Sequence, residues 1–147
     1  MTDKELIGKV HSSVYHQCQT RGYAAPVDVL MDIGVLTKAK YEDWRFGRVP
    51  YLEMVCEINL RKLSFILGQI KSYAARNGYK ASFTYYKQWG TKKKQGAKKT
   101  IPLKFSKSGR PEIERAYATH YIDEKAVAKM KVAADTKTTE QAEPTEL

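Results

Sequence analysis

The side chains with the plainest chemical meaning in this sequence are lysines. Between positions 80 and 110 the chain carries ten Lys or Arg and no Asp or Glu. Lys92, Lys93, Lys94, Lys98 and Lys99 crowd the middle of that stretch, and Lys80, Lys87, Lys104, Lys107 and Arg110 flank it. A nucleic-acid backbone is a dense line of negative charge. Each phosphate neutralised by a cation releases counterions, so clustered lysines bind it without sequence preference. Tyr85, Tyr86 and Trp89 lie among these cations, where aromatic faces can stack on unpaired bases. The simpler expectation for Phe83, Tyr85 and Trp89, together with Phe105, is a strand face turned to the core. Lysines would then only keep an exposed edge soluble. Ten cations without one acid exceed what solubility asks for.

A second group of residues is WRFGRVPYLE. Arg45 and Arg48 flank a Gly turn and could reach phosphate, or could pair with Glu42, Asp43 or Glu53. The segment 37–46 that leads into this turn also carries Lys38, and with the stretch before Gly34 it resembles a helix-turn-helix. The match is imperfect, because Lys40 and Asp43 fall where apolar residues are expected. An ordinary corner between two helices is the simpler reading.

FSKSGRPEIERAYATHY concentrates polar groups, among them Glu112 and Glu114. A nuclease needs grouped carboxylates to hold a divalent cation, and two acids spaced by two share a side only on a strand. Ser106, Ser108 and Gly109 read more simply as turn chemistry. His11 and His16 are five apart, which separates them around a helix. No HExxH, GxSxG, P-loop or dinucleotide fingerprint is present. The expectation is a chain with no catalytic residues, no metal and no cofactor. A metal-dependent nuclease using Glu112 and Glu114 is the weak alternative.

The elements that must position these residues are patterned along the chain. Thr2 and Glu5 form a capping box. Leu6, Val10, Val14 and Cys18 then recur on one helical face, with Gly22 placed to end that helix. Pro26 opens a short helix that stops at Gly34, and Thr37 caps a third. A long helix over 50–77, from Pro50 to Asn77-Gly78, carries Cys56, Leu60, Leu63, Leu67, Ile70 and Ala74 as one stripe and forms the spine of the core. After Gly78 the period becomes two, so KASFTYYKQW and TIPLKFSKSG read as a β-hairpin around the lysine-rich tip. A short helix at 82–89 is the rival. IERAYATHYI follows as a short helix or third strand, then a weak helix over 123–134.

The fold class expected is therefore α+β: a helical bundle around a long central helix, with a C-terminal basic hairpin in a winged-helix-like arrangement. Residues 1–134 form one domain, helical to 78 and hairpin-containing over 79–122. Residues 135–147 have Leu147 as their only large apolar side chain and read as a disordered acidic tail.

The chain is 147 residues long with a formal charge of +10, so the segment 80–110 equals the whole excess. The longest stretch free of charged residues, Val10 to Thr20, is too short and too polar to span a bilayer. The first residues, MTDKELIGKV, lack an apolar signal core, so secretion is not expected. Cys18 and Cys56, far apart in sequence, read as reduced core residues of a cytoplasmic protein.

At YEDWRFGRVPYLE and PLKFSKSGRPEIERAYATHY the chain resembles small bacterial proteins of no assigned activity. The resemblance covers most of residues 25–122. It implies a bacterial cytoplasm and a mobile-element or phage neighbourhood, and nothing about catalysis.

The function expected from the residues is nucleic-acid binding, DNA before RNA, with no membrane partner. Lysines would neutralise phosphates, Arg45 and Arg48 would position the bundle, and the 37–46 helix would supply any base readout. The other expectation is a protein-interaction module, an inhibitor or adaptor docking its basic face on an acidic or nucleic-acid-binding partner.

Overall fold

The computed structural model describes residues 1–90 and 100–142, with 136–142 described by backbone. The lysines at 92, 93, 94, 98 and 99 lie outside the described residues, as do residues 143–147. The fold is α+β. Helix α1 spans Asp3–Arg21, capped by the Thr2 hydroxyl, which accepts from the Glu5 amide, and closed by Gly22 at φ 86°. Leu6, Val10, Val14 and Cys18 are all fully buried, as their spacing on one helical face requires. Strand β1 (Tyr23–Ala24) follows, then α2 (Pro26–Asp32) and α3 (Lys38–Arg45). Between these two helices Gly34, at φ 85°, turns the chain, and both Val35 and Leu36 donate back to the Leu30 carbonyl.

The long central helix expected over 50–77 is shorter than that. Residues Leu52–Val55 form a single 3-10 turn, and the regular helix α4 runs Leu60–Arg76. Two forces divide the segment. The Leu52 and Glu53 amides are claimed by the carbonyls of Lys104 and Phe105, so they are not free for helical bonds. Asn59 then caps a fresh start, its Oδ1 accepting from the Lys62 amide at 2.9 Å. Leu63, Ile66, Ile70 and Ala74 form the buried face of α4 and pack along α1.

Strand β2 (Lys80–Phe83), helix α5 (Pro111–Ala118), strand β3 (Thr119–Ile122) and helix α6 (Glu124–Ala142) complete the fold. The sheet is antiparallel in the order β1-β3-β2, with Ala81 opposite Tyr121 and Phe83 opposite Thr119. IERAYATHYI is thus helix first and strand after. The Asp123 carboxylate accepts from the Ala126 amide and starts α6, whose backbone continues through Ala142, past the boundary expected at 134. One apolar cluster joins α1, α2, α4 and the two segments around Trp44 and Phe105. No helix of the described residues is long and apolar enough to cross a membrane.

Among the described residues the expected hairpin is a short ribbon, and its lysine-rich tip lies outside them. Residues 84–88 are not helical, and Trp89 lies in a turn with Gly90. Lys87 faces Pro102 in one antiparallel bridge, flanked by Gln88 N–H to the Ile101 carbonyl at 2.8 Å and Leu103 N–H to the Tyr86 carbonyl at 3.0 Å. Pro102 sits where an N–H would point away from the partner segment, so its missing donor costs this bridge nothing. The regular partner of β2 is β3 instead.

Candidate nucleic-acid interface

The side chains of 81–89 alternate, but in the sense opposite to the core expectation. Phe83 and Tyr85 are 49% and 75% exposed and Trp89 is 40% exposed, with Lys87 exposed between them. The even set, Ser82, Thr84, Tyr86 and Gln88, is half-buried. Strand side chains alternate faces, so fixing Tyr86 inward turns its odd neighbours outward. Tyr86 packs between the rings of Trp44 and Phe105, at 5.7 and 5.3 Å. Its hydroxyl meets His120 Nε2 at 3.0 Å, and burial raises its phenol pKa far above the ordinary value. Of the residues considered for base stacking, Tyr85 and Trp89 face solvent, whereas Tyr86 belongs to the core. Of those expected in the core, Phe105 alone is buried.

Arg45 clamps the ribbon. The Trp89 amide donates to the Arg45 carbonyl at 2.6 Å. The guanidinium lies 4.5 Å from the centre of the Trp89 ring, 5.1 Å from Tyr86 and 6.0 Å from Tyr41. Its Nε is buried without a hydrogen-bond partner among the described residues. A cation partly desolvated among ring faces is held by their quadrupoles, so Arg45 fixes the ribbon from below. Arg48 pairs with Asp43 at 2.9 Å and lies over Phe46, the pairing that was the alternative to phosphate contact. On α3 Lys40 pairs with Glu57 at 3.1 Å. Lys38 is exposed and in no ion pair among the described residues.

The remaining described cations of the basic segment are exposed. None of Lys80, Lys87, Lys104, Lys107 and Arg110 enters an ion pair among the described residues. Lys87 stands on the ribbon. Lys104, Lys107 and Arg110 stand on the turn that follows it. Two carboxylates hold that turn from within. Glu114 accepts from the amides of Phe105 and Ser106 at 2.9 and 2.7 Å and from the Ser106 hydroxyl at 2.7 Å. Glu53 accepts from the Lys107 amide at 2.9 Å and from the Tyr117 hydroxyl at 2.7 Å. Burial, and then this bond to Glu53, push the Tyr117 phenol far above its ordinary range. The Ser106 hydroxyl also accepts from the Gly109 amide at 3.0 Å, which makes the SKSG stretch a turn.

These bonds bear on the nuclease alternative. Glu112 and Glu114 lie two apart on a helix, about 200° around its axis. Both oxygens of Glu114 are already occupied by donors of the chain. Among the described residues no group of three or more His, Cys, Asp or Glu side chains is placed to hold a metal. Cys18 and Cys56 are free thiols, and burial pushes them up to about 11 and about 12.

Beside the sheet, α4 and α5 enclose a groove of about 1330 Å³. Leu60, Leu67 and Ile113 give it an apolar wall, and Lys71, Lys107 and Arg115 stand among its polar lining. It is larger than the roughly 300–1,000 Å³ of small-molecule sites. Arg115 also sits 5.9 Å over the Phe83 ring, which joins the groove to the exposed aromatic row. Phe83, Lys71 and Arg115 are not among the contact residues that the sequence suggests. The parity of Tyr86 is the signal for the first; Arg115 stands in the polar stretch just beyond Arg110 and Lys71 nine residues before Lys80, and only the fold brings these two to one groove.

Compared with protein-family models, with curated proteins and with solved structures, the chain matches none.

Proposed function

We propose that this protein binds nucleic acid, DNA before RNA, through the basic segment 80–110. The observation that carries the reading is the row of exposed cations outside any described ion pair: Lys87 on the ribbon, then Lys104, Lys107 and Arg110 on the turn. The segment 80–110 has no acid of its own, and the two carboxylates that reach its turn, Glu53 and Glu114, accept from backbone amides and hydroxyls rather than from these cations.

In this reading Lys87, Lys104, Lys107 and Arg110 neutralise phosphates, and Lys92, Lys93, Lys94, Lys98 and Lys99 add contacts from the chain between Gly90 and Thr100. Glu53 and Glu114 act from behind by fixing the turn, and Arg45 by fixing the ribbon. A winged-helix-like variant, with α3 reading bases, draws on Lys38 alone, since Lys40, Arg45 and Arg48 are engaged within the fold. The test is a gel shift of the purified protein on double- and single-stranded DNA and RNA at two salt concentrations. Retardation at low salt that weakens steeply at high salt supports the reading. Absence of retardation on every substrate at low salt refutes it.

A second reading is a protein-interaction module for an acidic partner, the inhibitor or adaptor of a bacterial mobile-element or phage system. The groove between α4 and α5 favours it, because an apolar wall with cations beside it suits an acidic amphipathic segment. A stoichiometric protein partner that survives nuclease treatment of a lysate, and is lost on substitution of Leu67, would favour this reading over the first.

A further inference from the structure

We infer that the nucleic acid taken by this protein is single-stranded, with its bases stacking on the outward row Phe83, Tyr85 and Trp89. The inference rests on the nucleic-acid reading above and names its substrate class. Phe83 at the end of β2, Tyr85 just after it and Trp89 in the turn with Gly90 all face solvent, and Lys87 stands exposed between the last two. Alternate residues of an extended chain are about 6.6 Å apart on one face, so Phe83, Tyr85 and Lys87 follow one another as ring, ring and cation, and the turn brings the Trp89 ring after them.

The row is built rather than incidental. Phe83 and Tyr85 meet edge to face at 4.8 Å. Arg115 reaches over Phe83 from α5. Trp89 is braced by Arg45 on its face and by Phe46 at 5.5 Å. Each outer ring is therefore held by a neighbour while part of its surface stays open.

Duplex DNA keeps its bases stacked on one another and offers a protein phosphates and groove edges. It has no free base faces for such a row. A single strand has both unpaired faces and phosphates, the combination that aromatic platforms interleaved with cations bind without sequence preference. Phosphates would run beside Lys87 and Arg115 while bases lie on the rings. DNA and RNA share this chemistry.

The experiment is fluorescence anisotropy of the full chain with labelled oligo-dT, oligo-rU and a mixed-sequence duplex of equal length, at one fixed salt concentration. Two variants accompany it, Tyr85→Ala and Tyr85→Phe, with thermal melting as the folding check; Tyr85 is the most exposed ring, so neither touches the core. The expected result is tighter binding of the single strands than of the duplex by tenfold or more. Tyr85→Ala should weaken single-strand binding by roughly 5- to 150-fold, the range of one lost stacking contact, and Tyr85→Phe should retain it. Equal or tighter duplex binding overturns the inference and leaves the nucleic-acid reading standing, as does an unchanged single-strand affinity in Tyr85→Ala. No binding to any of the three overturns both.

Discussion

The guanidinium of Arg45 lies 4.5 Å from the centre of the Trp89 ring, and the Arg45 carbonyl accepts the Trp89 amide at 2.6 Å. A residue that the sequence leaves open to a phosphate or to a neighbouring carboxylate is thereby packed among rings, as the brace of the segment that presents the exposed aromatics. A brace and a phosphate ligand respond differently to substitution.

Arg45→Ala should cost about 0.5–2 kcal/mol of stability, the worth of a cation held among rings, read by urea denaturation. Nucleic-acid affinity should fall as the ribbon loosens, while the slope of log affinity against log salt stays as in the unaltered protein. Lys87→Ala should show the opposite pattern, with stability intact and the slope reduced by about one unit. A reduced slope in Arg45→Ala would mean that Arg45 reaches phosphate after all. Arg45→Lys keeps the charge without the planar stack and should recover little of the stability.

Tyr117 is fully buried, and its hydroxyl donates to the Glu53 carboxylate at 2.7 Å. Tyr117→Phe should destabilise the fold by about 1.5–3 kcal/mol, the usual worth of a hydrogen bond to a charged group. Because Glu53 also holds the Lys107 amide, the basic turn should loosen with it. Hydrogen exchange should show faster exchange at Lys107 in this variant. Unchanged exchange there would separate the turn from Glu53.

Asn59→Ala removes the side chain that receives the Lys62 amide. The expected cost is about 0.5–2 kcal/mol in thermal or urea unfolding. A negligible change would show that α4 does not depend on a separate start at this position.

His120 lies on β3, stacked 5.4 Å from Tyr23 and bonded to the Tyr86 hydroxyl. Burial, opposed by Asp28 and aided by Arg21, lowers its pKa below the ordinary 6.5. The unfolded chain therefore takes up a proton at a pH where the folded chain does not. The stability tied to neutral His120 is complete above about 6.5 and declines as the pH falls through the lowered folded value. Thermal midpoints measured from pH 7.5 down to pH 5 should decline, and His120→Gln should flatten that part of the curve. An equal decline in both proteins would assign it to other groups.

How far the sequence carried depends on whether local or distant partners decide each element. Helix α1 is legible because its signals are local: a Thr2 cap, an apolar residue every fourth position, and Gly22 to close it. The corner at Gly34 and the Thr37 cap are legible for the same reason. The break in the long helix is not, because the amides of Leu52 and Glu53 bond to Lys104 and Phe105, some fifty residues away. Asn59 was the one local warning. The ribbon's inward face depends on the same kind of distant choice. Period two fixes alternation but not which face turns in, and Trp44, Phe105 and His120 select Tyr86. The basic turn could be read as a turn from Ser106 and Gly109, but its dependence on Glu53 could not.

The measurement that bears most directly on the central claim is the salt dependence of nucleic-acid affinity for the unaltered chain and for the triple variant Lys92→Ala, Lys93→Ala, Lys94→Ala. Binding through the basic segment predicts a log–log slope several units below zero, made shallower in the triple variant by about 0.7–0.9 unit per lost phosphate contact, the lower figure for single strands. A flat dependence in the unaltered protein, or the same slope in both, would contradict it.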